Sequence, residues 1–244
     1  MRVVALIPAR YDSSRFPGKL LANLGGKPVI LRTYEAVRET GLFEEVIVVT
    51  DHDEILNVIS RANGKAIKSL KTHECGTDRI AEAVEFIDAD IVLNVQGDEP
   101  FTNREALENL INVFRQDQHE SVDVASLMQR LTDINQVRDS NFVKVVVNQQ
   151  NDAIYFSRSP IPFPKNDSLD ISYFEHIGVY AFRKNALLEF YNTDPTPLET
   201  TELIECLRHI EMGKTIRMVE TNYMGIEIDT PEDLLNAEIF LNQS

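Results

Sequence analysis

The chain has 244 residues, 43% hydrophobic and 26% charged, with a formal net charge of −15, the make-up of a soluble globular protein with room for one large domain or one domain carrying an insertion. That acidity argues against a nucleic-acid backbone or an anionic membrane as partner, since their phosphates would be repelled. No apolar run reaches membrane-spanning length, nothing at the start resembles a signal peptide, and Cys75 and Cys206 lack metal-ligand spacing, so a reducing, cytoplasmic setting without a zinc site is expected.

In chain order, Val3–Ile7 has strand length and composition, and Pro28 to Glu39 carries apolar residues at helical spacing before Gly41. Val46–Thr50 reads as a second strand, followed by a helical segment to Gly64 and a short strand at Ala66–Ser69. Asp78 to Ile87 reads as helix and Ile91–Val95 as a buried strand. This rhythm predicts an α/β fold, a mostly parallel Rossmann-like sheet with helices on both faces. After Asp98 the pattern changes. Glu105–Phe114 reads as helix, Val122–Met128 and Phe142–Val147 as strands, and Ala153–Ser157 returns after a turn as a hairpin. Pro160, Pro162, Pro164 and Lys165–Asp170 mark a loop, His176–Phe182 a strand, Leu198–Glu211 one helix stopped by Gly213, and Ile216–Val219 a last strand. Thr230-Pro231 opens a final helix with a cap and a proline at its first position. With no clear linker, residues 1–244 read as one domain, about 1–120 mainly nucleotide-binding and about 121–225 supplying a mixed, hairpin-containing acceptor part.

The loop after the first strand holds Arg10, Arg15, Gly18 and Lys19. It is either a solvated basic loop or a polyphosphate receptor, and its place just past a buried strand favours the second. It has neither Walker nor G-x-G-x-x-G spacing. Asp98, in Asn94-Val-Gln-Gly-Asp-Glu-Pro100, follows a buried strand directly. It is either an ordinary turn residue or a Mg²⁺ ligand facing a nucleotide, with Gly97 allowing the tight turn. Alternation over Ile226–Ile228 puts Glu227 and Asp229 on one face, although Asp229 also suits the positive end of the last helix. Two carboxylates and a basic loop are the minimum apparatus for metal-assisted nucleotidyl transfer. Cys75-Gly-Thr77-Asp-Arg79 precedes a helix, where its backbone amides contact a base or ribose or Thr77 simply caps. His176 is either a packed strand histidine or a ligand, and Arg158 either binds an acidic acceptor or makes a surface salt bridge.

The segments IPARYDSSRFPGKLL, TDHDEI, GTDRIAEA, NVQGDEP, AIYFSRSPIP, HIGVYAF and IDTPEDL occur in this order over essentially the whole chain. In them the chain closely resembles the CMP-Kdo synthetases, the 3-deoxy-manno-octulosonate cytidylyltransferases of lipopolysaccharide assembly, and more distantly the CMP-sialic acid synthetases. The resemblance implies that Arg10, Arg15 and Lys19 bind the triphosphate, that Gln96 contacts the ribose, and that Thr77 and Arg79 lie near the cytosine. It implies that Asp98 and Asp229 hold Mg²⁺, with Lys19, Asp98 and Asp229 serving catalysis. Arg158, His176, Tyr180, Glu205 and position 206 would form the sugar-acid pocket. It further implies CTP and a 3-deoxy keto-sugar acid as substrates, and a homodimer joined through the hairpin around Val143–Phe156. One departure bears on the acceptor: Cys206 stands where the family commonly has glutamine. Activation of a related acid, of the 8-amino-Kdo or sialic acid type, is the alternative. A non-catalytic nucleotide-binding regulator would be expected to lack Lys19 or a metal aspartate, and all three are present.

Overall fold

Val3–Ala9 is buried at every position and forms strand β1, as a continuous apolar run does when helices cover a parallel sheet. The computed structural model to which it belongs describes residues 1–13, 15–71, 73, 75–165, 171–222 and 226–243. The expected loop at Lys165–Asp170 therefore lies, past Lys165, outside the described residues. The chain divides into two compact units, Met1–Glu105 with Met224–Ser244, and Ala106–Tyr223.

In the first unit β1 leads through a 3₁₀ turn at Lys19–Leu21 to a small hairpin, β2 (Asn23–Leu24) and β3 (Lys27–Pro28). There follow α1 (Val29–Glu39), β4 (Glu45–Thr50), α2 (Asp53–Arg61), β5 (Lys65–Lys68), α3 (Gly76–Val84) and β6 (Ile91–Asn94). The strands run in the order β6-β1-β4-β5, every neighbour parallel. Helix α1 buries Val29, Ile30, Thr33, Tyr34 and Val37, a stripe at helical spacing, and each large apolar side chain so removed from water contributes about 1.5–3 kcal/mol. Because the strands are parallel, all their carboxyl ends share one edge. Arg10, Asp51 and the Val95–Asp98 turn emerge there together.

The second unit takes in most of α4 (Arg104–Gln116) and continues with β7 (Val124–Leu131), α5 (Ile134–Arg138), β8 (Lys144–Val147), β9 (Ala153–Ser157) and β10 (Tyr173–Arg183). It ends with α6 (Lys184–Tyr191), α7 (Pro197–Glu202), α8 (Cys206–Glu211) and β11 (Ile216–Glu220). Strand β11 is parallel to β7, while β7-β10, β10-β8 and the expected β8-β9 hairpin are antiparallel. The single helix predicted over Leu198–Glu211 is two helices: Leu203 turns left-handed at φ 53° and breaks the run. Helix α6, which buries Ala186, Leu187 and Phe190, was not expected. The chain then returns to the first unit with α9 (Pro231–Leu241), opened by a reciprocal capping box of Thr230 and Asp233. Among the described residues no helix is long and apolar enough to cross a membrane.

Candidate active site

At the carboxyl edge of the first unit's strands lies a cavity of about 350 Å³, within the ~300–1,000 Å³ of small-molecule sites. Its basic wall starts where β1 ends. Gly18 adopts φ 70°, a left-handed conformation that glycine takes without strain, and starts the turn that points Lys19 inward. Lys19 Nζ donates to Asp98 Oδ2 at 2.5 Å and to Asp229 Oδ1 at 2.6 Å, while Arg15 pairs with Asp229 Oδ2 at 2.7 Å. Burial alone would lower the Lys19 pKa, but the Asp98 charge and the hydrogen bonds to both aspartates outweigh it and raise the pKa. Arg10 also lines the cavity. Tyr11 anchors the same loop by stacking on His52, ring centroids 4.1 Å apart.

Two chain segments deliver the carboxylates. Gly97 matters for closeness rather than for turn freedom: a Cβ there would meet Pro8 O at 3.0 Å and Ile30 Cδ1 at 3.1 Å, so a side chain would push the turn after β6 away from β1 by a few tenths of an ångström. The Ile228 N–H donates to the Asp98 carbonyl at 3.0 Å and so brings residues 227–229 beside Asp98. Thr230 and Asp233 cap α9, which leaves the Asp229 carboxylate to Lys19 and Arg15. Asp98, Glu227 and Asp229 each offer an oxygen within 4.8 Å of the others, a hard anionic set that fits Mg²⁺ or a similar divalent cation. The crowding of negative charge is visible in their neighbours. Glu99 is pushed up to about 8 by burial and then by the Asp98 and Glu227 charges. Glu227 is raised by partial burial and by the Asp98 and Asp229 charges, against the opposing charges of Lys19 and Arg15.

The remaining wall comes from α3 and the turn after β6. Arg79 is 3% exposed, and one amino nitrogen pairs with Asp51 at 3.1 Å. Its other amino nitrogen is buried with no hydrogen-bond partner among the described residues, an unmet donor on a residue of the cavity wall. Gln96 lines the cavity too. Thr77 does not: it is buried inside the first turn of α3 and accepts from Asn94 Nδ2 at 3.3 Å. The capping considered for Thr77 falls to Cys75, whose sulfur accepts from the Asp78 N–H at 3.4 Å.

The residues expected on the acceptor side all lie in the second unit. His176 sits on β10 beside a register shift between Ile177 and Tyr180, where Ser126 Oγ bonds the carbonyls of Ile177 and Val179 and meets His176 Nε2 at 3.1 Å. Phe156 packs edge-on against the His176 ring at 5.0 Å and Tyr180 is tilted to it at 5.4 Å. Burial lowers the His176 pKa to about 4. Cys206, 1% exposed at the start of α8, has its thiol pushed up by burial and by the Glu205 charge, against a hydrogen bond with Tyr180. Glu205 occupies the position before α8. The Arg158 guanidinium makes no salt bridge among the described contacts. It donates to the carbonyls of Glu202 at 2.7 Å, Ser140 at 2.9 Å and Leu203 at 3.2 Å.

His73 on the wall and Asp51, the partner of Arg79, escaped the sequence reading. His73 lines the cavity and meets Glu82 Oε2 at 2.5 Å, the carboxylate that also binds Ser69 Oγ and Leu70 N–H. Asp51 orients Arg79. Asp51 stands in the TDHDEI segment and His73 in none of the quoted ones, and the partners that give them their places, Arg79 and Glu82, lie on α3. Glu227 was placed on the Asp229 face without being named as a ligand.

The family model for cytidylyltransferases matches residues 4–216. The 3-deoxy-manno-octulosonate cytidylyltransferase of Flavobacterium johnsoniae is 54% identical over 99% of this chain and 99% of its own length. That of Christiangramia forsetii is 52% identical over 99% and 97%. A solved structure of CMP:2-keto-3-deoxy-manno-octonic acid synthetase complexed with CTP superposes with a TM-score of 0.94, at 37% identity, covering 100% of this chain and 99% of that one. Matched in sequence and in fold along its whole length, the chain belongs to the cytidylyltransferase family, with the 3-deoxy-manno-octulosonate cytidylyltransferases, and is a nucleotidyltransferase.

Proposed function

We propose that this enzyme converts CTP and 3-deoxy-manno-octulosonate to the CMP-sugar and pyrophosphate, as a cytoplasmic step of lipopolysaccharide assembly. The observation that carries this reading is Lys19 bridging Asp98 and Asp229 on a cavity wall shared with Arg10, Arg15 and Arg79. The sugar's anomeric hydroxyl attacks the α-phosphorus in line, the bond from the α-phosphorus to the bridging oxygen of pyrophosphate breaks, and the hydroxyl proton passes to solvent. Arg10, Arg15 and Lys19 hold the departing phosphates, whose charge grows as the bond breaks. Arg79 and Gln96, both on the cavity wall, orient base and ribose, fixing the α-phosphorus for attack. Asp98 and Asp229, with Glu227 beside them, would hold Mg²⁺, which when bound supplies charge neutralisation at the phosphates. The acceptor acid is assigned to Tyr180, Glu205 and the surroundings of His176 and Cys206, with Arg158 holding the chain around Glu202 in place. The β8-β9 hairpin, with Ile154 exposed on it, is assigned to contact with a second copy.

Pyrophosphate release tests the reading. CTP should be used strongly in preference to ATP and GTP, and 3-deoxy-manno-octulosonate in preference to its 8-amino analogue or a sialic acid. Equal turnover of ATP with the same acceptor would overturn the nucleotide assignment, and preference for another acid would overturn the acceptor.

A further inference from the structure

Lys19 and Arg15 hold the same oxygens that a divalent cation needs. Lys19 touches Asp98 Oδ2 and Asp229 Oδ1, and Arg15 takes the second Asp229 oxygen. Both oxygens of Asp229 are thus engaged, each by a full positive charge. The Lys19 and Asp98 side chains are only 10% and 14% exposed, so solvent screens this pairing weakly. The charges of Asp98 and Asp229 are matched by those of Lys19 and Arg15, with Glu227 as the further carboxylate of the set.

A dication arriving alone must push one ammonium off two carboxylates and then sit beside it. A triphosphate changes that balance. It offers anionic oxygens to which an ammonium and a guanidinium can turn, forming charge-assisted hydrogen bonds as the aspartates are released to the metal. Resting on the assignment of this cavity to a metal-bound CTP, we infer that Lys19 and Arg15 are built-in counterions of the metal-holding aspartates, so that divalent cation and triphosphate bind as one coupled unit and each binds poorly without the other. The coupling is reciprocal by thermodynamic necessity. Lys19 dominates because its compact ammonium bridges both aspartates. Arg15, with its side chain 67% exposed, is the weaker member.

The consequence is counter-intuitive: removing a positive charge that serves the nucleotide should strengthen binding of the metal by itself. Mn²⁺ titrations followed by electron paramagnetic resonance, on the full chain with and without a non-hydrolysable CTP analogue, read this directly. Without nucleotide, Lys19→Met should bind Mn²⁺ about tenfold or more tightly than the parent, and Arg15→Gln should show a smaller gain. The analogue should raise Mn²⁺ affinity in the parent by about tenfold or more and much less in Lys19→Met. A folded Lys19→Met that binds Mn²⁺ no more tightly than the parent, while the parent responds to the analogue, overturns the inference alone. If Lys19→Met fails to fold, Arg15→Gln decides, and no gain there overturns it. Mn²⁺ that does not bind the parent even with the analogue overturns the metal assignment and the inference with it.

Discussion

The first unit's cavity and the second unit's buried polar cluster treat their charged groups in opposite ways. In the cavity, Lys19, Arg15, Asp98 and Asp229 are paired with one another at the wall, and Arg79 keeps one buried nitrogen without a partner among the described residues. Those partnerships can be traded for a ligand's. In the second unit, Arg158 spends its guanidinium on three backbone carbonyls, His176 meets Ser126, and Cys206 is buried against Tyr180. Substitutions in the cavity should therefore cost function and spare the fold, whereas those in the cluster should register in stability, in either direction.

The sharpest way to break that contrast is Asp98→Asn or Asp229→Asn. Each keeps the shape of the side chain and removes an anionic oxygen that a hard cation needs. We expect turnover to fall by about a hundredfold or more, corresponding to about 3 kcal/mol of transition-state stabilisation, with the melting temperature near the parent's. A parental rate with parental Mg²⁺ dependence would remove that aspartate from the site.

The cluster should report itself through acid. His209 is buried and stacked on Phe190 at 4.7 Å, and neither ring nitrogen has a partner among the described residues. Burial, then the Arg208 and Lys214 charges, lower its pKa to about 3. A base with a lowered folded pKa binds its proton more readily when unfolded, so its contribution is full above about pH 6.5 and is lost as pH falls toward the folded value. Between pH 7 and 4.5 that amounts to about 2–3 kcal/mol for His209. Chemical unfolding should show the parent losing this much more than His209→Phe over the window. Glu99, raised to about 8, acts in the opposite sense in both proteins, so the difference between them is the readout. Parallel curves would show that His209 is not held neutral.

Arg158→Ala should follow, with a stability loss of about 2 kcal/mol from three lost charge-assisted hydrogen bonds. An unchanged melting temperature would free Arg158 for a direct role with the acceptor. The smallest effect is His209→Phe at pH 7.5, expected to gain about 1 kcal/mol by removing two unsatisfied nitrogens from an aromatic stack. Destabilisation there would reveal a partner for the imidazole.

The same contrast explains what was legible in the sequence. The charges of the cavity sit at strand ends and helix starts, which apolar runs and caps mark out: Val3–Ile7 before Arg10, Ile91–Val95 before Asp98, Thr230-Pro231 after Asp229. Glycine at 97 could be read as special, but its reason, contact with Pro8 and Ile30, is long-range. The second unit hides more. Leu203 breaks the helix before Cys206 by turning left-handed, a conformation unusual for leucine and unmarked by glycine, asparagine or proline. The ties of Arg158 to Ser140, Glu202 and Leu203 and of His73 to Glu82 join separate elements, and no local spacing encodes them.

Lys19 is where the two behaviours can be separated most directly. Steady-state pyrophosphate release at sub-saturating CTP, measured beside thermal unfolding, should show Lys19→Ala slowed by about ten- to a hundredfold, the loss of a charge-assisted phosphate contact of ~1.5–3 kcal/mol. Its melting temperature should stay close to the parent's. An unchanged rate, or a loss of rate matched by a loss of folded protein, would contradict a cavity whose charges serve the nucleotide.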